Sequence, residues 1–149
     1  MAYNKAICEV KNAILSPALL QSRCDKNLLA NFNLTTHESN RIKSLKDKYF
    51  HDFLPTTKIN HLLYNLMRLL QGKYSIILIT NAKRKRIDSL IKYHNLRNLP
   101  TIFYNRGGNK YQNCIEKFCL NAKRLSVFED SDKDIECARD AGIANIIKV

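Results

Sequence analysis

The chain has 149 residues, of which 45% are hydrophobic and 26% charged, and this is enough apolar material for the core of one domain. Its four glycines and three prolines argue against a low-complexity chain, and its five cysteines, with no Cys-x-x-Cys pair, argue against a zinc site or a disulfide framework. The formal net charge of +12 indicates either an anionic partner, such as a nucleic acid or a phosphorylated small molecule, or only a basic surface.

The sequence gives no reason to expect contact with a membrane. No apolar run reaches the roughly 18 residues that a spanning helix needs. The first residues lack the charged-then-apolar build of a signal peptide. We therefore expect a cytoplasmic protein with reduced, mostly buried cysteines.

The first half of the chain is predicted to consist of one strand followed by helices. Lys5–Val10 is a short apolar run that we expect to form a buried strand. Helices are predicted where apolar residues recur at helical spacing, over Leu15–Phe32, His37–Phe53 and the residues that follow Thr57 as far as Leu70. We interpret residues 15–55 as a small helical cap inserted after the first strand.

In the second half, strands and helices alternate. Strands are predicted at four apolar runs, Tyr74–Thr80, Pro100–Tyr104, Lys123–Phe128 and Asn145–Val149. Segments with helical spacing lie between them, which predicts parallel strands joined by right-handed crossovers. The fold class is therefore α/β: a Rossmann-like parallel sheet of about five strands flanked by helices, in a single domain over residues 1–149.

A group of acids marks the end of the third of these strands. The apolar strand leads directly into Glu129 and Asp130, and Asp134 follows in a segment of helical spacing. The carboxyl ends of parallel strands are where α/β folds place their sites, and carboxylate oxygens suit Mg²⁺. Alternatively, Asp130 or Ser131 only caps the helix and the helix dipole favours the other acids. Capping accounts for one or two acids but poorly for three.

The run from Ser126 to Gly142 resembles the fourth motif of the haloacid dehalogenase (HAD) superfamily of phosphohydrolases, in which acids hold Mg²⁺. The resemblance implies a Rossmann-like fold and Mg²⁺-dependent hydrolysis of a phosphomonoester through an aspartyl-phosphate. It also implies the metal ligands, which are Glu129, Asp130 and Asp134.

Two further motifs of that superfamily have counterparts here. Thr80 ends the strongest predicted strand and Asn81 follows it, at the place where the superfamily has a Thr or Ser whose hydroxyl binds the transferring phosphate. A hydroxyl beside the free N–H groups of a helix start is also an anion site on physical grounds, although either residue could only cap the helix. Lys110 precedes a predicted helix, as does the third-motif lysine that neutralises the phosphate; Tyr111 replaces the proline usual after it.

The helix that follows Thr80 opens with four cations in a row, at residues 83–86. Cations in a first helical turn oppose the macrodipole by roughly 0.3–1 kcal/mol each, and a nearby anion would offset this. A solvated basic face is the simpler explanation, so these residues are secondary candidates for contact with a substrate or polyanion.

The sequence does not reproduce the first motif of the superfamily. There a strand ends in Asp-x-Asp, the first Asp attacking phosphorus and the second acting as general acid and base; Glu9 and Lys11 stand at these positions here. Glu9 has the charge of a nucleophile but one extra methylene, and a misplacement of about 1 Å costs on the order of 10²-fold in rate. An ammonium such as that of Lys11 cannot accept a proton. The chain is then an inactive phosphatase fold, a slow enzyme that uses Glu9, or a phosphate-binding module, and the sequence favours the first and the third.

Overall fold

The structure is a computed structural model that describes residues 2–12 and 33–149. These residues fall into two compact units, one of Met1–Ile59 with Asp88–Asn95 and the other of Asn60–Ile87 with Leu96–Val149. The predicted helix Leu15–Phe32, and with it the first part of the predicted cap, lies outside the described residues. In the described ranges, no helix has both the length and the apolar character needed to cross a bilayer.

The first unit is helical. Its elements are α1, Ala2–Lys11; α2, Thr36–Tyr49; and a 3₁₀ helix, His51–Thr56. Helix α1 packs against α2, and Ala6, Ile7 and Ile42 form a fully buried cluster. The helix predicted over His37–Phe53 is thus confirmed, with a change to 3₁₀ geometry near its end.

The strand predicted at Lys5–Val10 is wrong, because this run lies inside α1. Its apolar residues also recur at helical steps, and this spacing places Ala6, Ile7 and Val10 in the cluster that α1 forms with α2. A short apolar run fits a buried strand and the apolar face of a helix equally well, so its periodicity alone does not separate the two.

Thr35 fixes the start of α2 through a capping box. Its hydroxyl accepts from the Glu38 N–H at 3.2 Å, and the Glu38 carboxylate accepts from the Thr35 N–H at 2.8 Å. Lys11 Nζ lies 2.8 Å from the same carboxylate, which ties the end of α1 to the start of α2. The Lys11 contact and then the Thr35 bonds lower the pKa of Glu38 to about 2.

The second unit alternates short strands with helices. Its elements are α3, His61–Leu70; β1, Ile77–Thr80; α4, Arg84–Tyr93, of which Arg84–Ile87 belong to this unit; β2, Thr101–Tyr104; α5, Lys110–Phe118; a 3₁₀ turn, Ala122–Arg124; β3, Ser126–Glu129; α6, Asp132–Asp140; and β4, Asn145–Lys148. This order confirms the alternation predicted for the second half of the chain.

The strands form two parallel pairs. β1 pairs with β2 in a register that sets Thr80 opposite Tyr104, and β3 pairs with β4 in a register that sets Glu129 opposite Lys148. The strands are parallel, as predicted. Among the described residues, however, they number four and form two small sheets, whereas one sheet of about five strands was predicted. The run predicted as the remaining strand forms α1 instead.

Both strand pairs contribute to one core. Its buried residues are Tyr111, Ala138, Ala141 and Ile143, and the side chains packed against them include Ile79, Val127 and Ile146. Ile79 lies on β1 and Val127 on β3, so the two pairs share a core although they belong to separate sheets. Gly142, at a φ of +79°, ends α6 as its position in the sequence predicts, because a left-handed residue after a helix is best supplied by glycine.

Candidate functional site at the strand ends

Asn109 fixes the start of α5, the helix that carries the predicted site lysine. As the N-cap, its Oδ1 accepts from the backbone N–H groups of Tyr111 at 2.9 Å and Gln112 at 3.3 Å. Its Nδ2 donates to the carbonyl of Cys137 on α6 at 2.6 Å. One side chain therefore both caps α5 and attaches it to the helix that follows the acidic run.

Lys110 lies between two of the acids that the sequence singles out. Its Nζ is 2.6 Å from Glu129 Oε1, at the end of β3, and 3.3 Å from Asp134 Oδ2, in the first turn of α6. Its side chain is 8% exposed, and that of Glu129 is 15% exposed. A charge so enclosed requires a partner, because an unpaired ion out of water is strongly destabilising. The structure thus brings Lys110, Glu129 and Asp134 together.

Tyr111 is a further member of this cluster, and the sequence identified it only as a replacement for proline. Its ring is buried in the core, and its hydroxyl donates to the same Glu129 oxygen that Lys110 contacts. Burial, followed by the bond to Glu129, raises the pKa of the Tyr111 hydroxyl well above its usual value. The helical spacing predicts that this side chain is buried, but nothing in the pattern indicates which polar group its hydroxyl reaches.

The acidic run does not form the three-carboxylate arrangement expected of a Mg²⁺ site. Asp130 is exposed, whereas Glu129 and Asp134 both contact Lys110. Among the described residues, no group of three or more His, Cys, Asp or Glu side chains is arranged to hold a metal ion. The ammonium of Lys110 stands between the two carboxylates that a metal would bridge, so the residues as arranged do not fit a divalent cation there. Ser131, not Asp130, is the N-cap of α6, and its side chain makes no capping bond.

Asn105 connects the end of β1 to α5. Its N–H donates to the Thr80 carbonyl at 2.8 Å, and its Nδ2 donates to Asn81 Oδ1 at 2.7 Å. Its own Oδ1 accepts from Asn113 Nδ2, on α5, at 2.8 Å. Asn105 is 8% exposed, so this is an internal connection. Thr80 and Asn81 are therefore linked to the helix that begins with Lys110. Asn105 follows the strand predicted at Pro100–Tyr104, and nothing in its sequence position indicates these bonds.

The end of β1 carries a hydroxyl and a cation. The Thr80 hydroxyl oxygen accepts from the Ala82 N–H at 3.0 Å, a bond within the turn that precedes α4, and the hydroxyl proton stays available as a donor. Arg84, the first residue of α4, places its guanidinium 5.6 Å from the centre of the Tyr104 ring. Because Tyr104 is the register partner of Thr80, this cation lies over the same pair of strand ends.

Glu9 and Lys11 occupy positions unlike those expected of them. Both lie on α1 in the first unit, where the Glu9 carboxylate accepts from the hydroxyl of Tyr49 and Lys11 pairs with Glu38. The expectation that they end a strand is wrong, because their segment is helical. Their catalytic roles stay a prediction without a strand end to support it.

Parallel strands joined by helices define a protein of the α/β class, and polar side chains lie at the carboxyl ends of its strands. A family model described as haloacid dehalogenase-like hydrolase matches residues 20–148. The chain belongs to this family, which confirms the resemblance. The matched region includes Thr80, Lys110 and Glu129, whereas Glu9 precedes it. Neither the comparison with curated proteins nor that with solved structures gives a match.

Proposed function

We propose that this member of the haloacid dehalogenase-like hydrolase family binds a phosphate-bearing small molecule at the end of β1 and does not hydrolyse it. The observation that carries the proposal is the position of the Thr80 hydroxyl at the end of β1, four residues before α4 begins. The first turn of α4 is cationic, and the guanidinium of Arg84 lies over the ring of Tyr104, the register partner of Thr80. The predicted phosphate ligands Thr80 and Asn81 form this site, with Arg84 supplying charge.

An anion at this place would interact favourably with the start of α4. A helix N-terminus attracts negative charge, because the dipoles of its peptide groups add up there. The first turn of α4 contains no acid and carries cations that oppose the helix dipole, and a bound anion would offset this opposition. Lys110 contributes less directly than the family resemblance implies, because its ammonium is already shared by two carboxylates.

Hydrolysis is disfavoured because the residue expected to act as nucleophile is not at a strand end. The aspartyl-phosphate route needs a carboxylate at a strand end facing the phosphate, whereas Glu9 is on α1 and accepts from Tyr49. The match to the haloacid dehalogenase-like hydrolase family is what favours the second candidate function, Mg²⁺-dependent phosphomonoester hydrolysis with Glu9 as nucleophile. Turnover of p-nitrophenyl phosphate with and without Mg²⁺, in wild type and Glu9→Ala, separates the two. Metal-dependent turnover that the Glu9→Ala variant loses would establish the second.

Calorimetric titration of the full chain with inorganic phosphate and with p-nitrophenyl phosphate tests binding. Thr80→Val keeps the shape of the side chain and removes its hydroxyl; we expect weaker binding by about tenfold, the effect of one hydrogen bond to a charged group. Thr101→Val is the matched control, because Thr101 is at the opposite, amino-terminal end of β2. Equal affinity in wild type and both variants would contradict the proposed site.

A nucleic acid is the other anionic partner consistent with the net charge of +12. An oligonucleotide would bind through many phosphates, so its affinity would fall steeply with salt and respond to Arg84→Gln more than to Thr80→Val. A phosphomonoester should instead respond to both variants. Titration with each ligand at two salt concentrations distinguishes these partners.

A further inference from the structure

Lys110 has the environment of a bound cation. Its Nζ is within hydrogen-bond distance of Glu129 Oε1 at 2.6 Å and within ion-pair distance of Asp134 Oδ2 at 3.3 Å. The hydroxyl of Tyr111 donates to the same Glu129 oxygen. The Asn109 cap and the burial of Tyr111 hold the start of α5, so the ammonium is held in place by the core rather than by a mobile surface stem.

A divalent cation bridging the same two carboxylates would need the same place. Mg²⁺ binds carboxylate oxygens at about 2.0–2.1 Å, so a metal shared by Glu129 and Asp134 would sit where the ammonium now lies. Retaining both would set a divalent cation and an ammonium within a few ångströms of each other in a site that is largely shielded from water. Metal and ammonium are therefore competitors for one position.

We infer that the ammonium of Lys110 is a built-in counter-cation of the Glu129–Asp134 pair and takes the place that a divalent metal would occupy between them. Without this ammonium, the same carboxylates form a Mg²⁺ site. The inference concerns the acidic half of the strand-end site, and its test needs no phosphate ligand, so it stands or falls separately from the proposed function.

The test is calorimetric titration of the full chain with MgCl₂ alone, in wild type, Lys110→Met and Lys110→Arg. We expect Lys110→Met to bind Mg²⁺ at least about tenfold more tightly than wild type, because repulsion between neighbouring like charges exceeds the free energy of a tenfold change. Lys110→Arg retains the positive charge and should behave as wild type. The gain should disappear in Lys110→Met/Glu129→Gln, which locates it.

Lys148→Met is the matched control, since it removes the same charge from another Lys–Asp pair, the exposed one with Asp132. Equal Mg²⁺ affinity in wild type and Lys110→Met would overturn the inference. If Lys110→Met does not fold, the test is a comparison of Mg²⁺ binding by wild type and by Glu129→Gln. An equally weak response to Mg²⁺ in both supports the inference, and a saturable response in wild type that Glu129→Gln abolishes overturns it.

Discussion

The ammonium of Lys110 lies 2.6 Å from the carboxylate of Glu129, and the two side chains are only 8% and 15% exposed. This pair joins the first residue of α5 to the last residue of β3. Each charge has lost much of its contact with water, so each depends on the other for its solvation. The pair thereby couples the stability of the second unit to the arrangement of its candidate site.

Removal of one member of this pair should destabilise the fold more than removal of both. We expect Lys110→Met to lower the free energy of unfolding by about 3 kcal/mol, near the low end for a broken buried pair because Glu129 retains some exposure. Lys110→Met/Glu129→Gln should recover much of this loss, since it leaves no unpaired charge on Glu129. Urea unfolding of the two variants measures the difference. Equal stabilities would show that the pair is not buried in solution.

Tyr111→Phe should remove the hydroxyl bond to Glu129 and keep the packing of the ring. A hydrogen bond to a charged group stabilises by about 1.5–3 kcal/mol, and we expect a loss in this range. Tyr74→Phe, at a tyrosine that is 65% exposed, is the control and should change stability little. A loss no larger for Tyr111→Phe than for Tyr74→Phe in chemical denaturation would contradict the contact.

The same tyrosine should make stability depend on alkaline pH. The folded state raises the pKa of Tyr111 and so favours its protonated form, and this contribution is present below pH of about 10 and is lost as the pH rises further. Wild type should therefore lose stability above that pH more steeply than Tyr111→Phe. Parallel curves of unfolding free energy against pH for the two proteins would be the contrary result.

Glu38 should determine how the stability of the first unit depends on pH in the acid range. Its pKa of about 2 in the folded state is below its ordinary value of 4.5, so its contribution is full above pH 4.5 and is lost as the pH falls toward 2. Glu38→Gln should flatten the dependence of stability on pH in this window. Glu136→Gln, at an exposed acid on α6, is the control and should leave the dependence as in wild type. Thermal unfolding at a series of pH values makes the comparison.

The phosphatase pattern of the superfamily should not be restored by changing residues 9 and 11. At a strand end, Glu9→Asp/Lys11→Asp would recreate Asp-x-Asp and with it the nucleophile. On α1 the same change instead removes the ion pair with Glu38 and leaves a carboxylate without a strand end to present it. We expect p-nitrophenyl phosphate turnover at background with Mg²⁺ present. Turnover gained in this variant would show that the segment reaches the site in solution.

The strand ends were predictable because the second half of the chain carries two independent signals. The run that becomes β1 is continuously apolar and β-branched, and the acids at 129 and 130 interrupt an apolar run abruptly. Parallel strands bring such ends to one edge whatever the details of the loops. Thr80 and the acids were singled out by their positions at the strand ends, and Lys110 by the resemblance to the third motif of the superfamily.

The sequence does not reveal which hydrogen-bond or ion-pair partner a buried polar group has. Lys110 was expected to face a phosphate, and its contacts in the structure are carboxylates. Asn105 and Tyr111 follow the ordinary patterns of a turn residue and a buried helix residue, so their hydrogen bonds to Asn81 and Glu129 depend on tertiary geometry. The strand prediction for the α1 segment was wrong for another reason, since the periodicity of a short apolar run excludes neither a strand nor a helix.

The central claim, a phosphate-binding site at the end of β1, is tested most directly by amide NMR spectra of the isotope-labelled full chain during titration with inorganic phosphate. We predict saturable shifts that cluster at Thr80, at residues 81–86 and at Asn105, with none along α1. Shifts confined to the surroundings of Glu9 and Tyr49, or no saturable shift at any residue, would contradict the account.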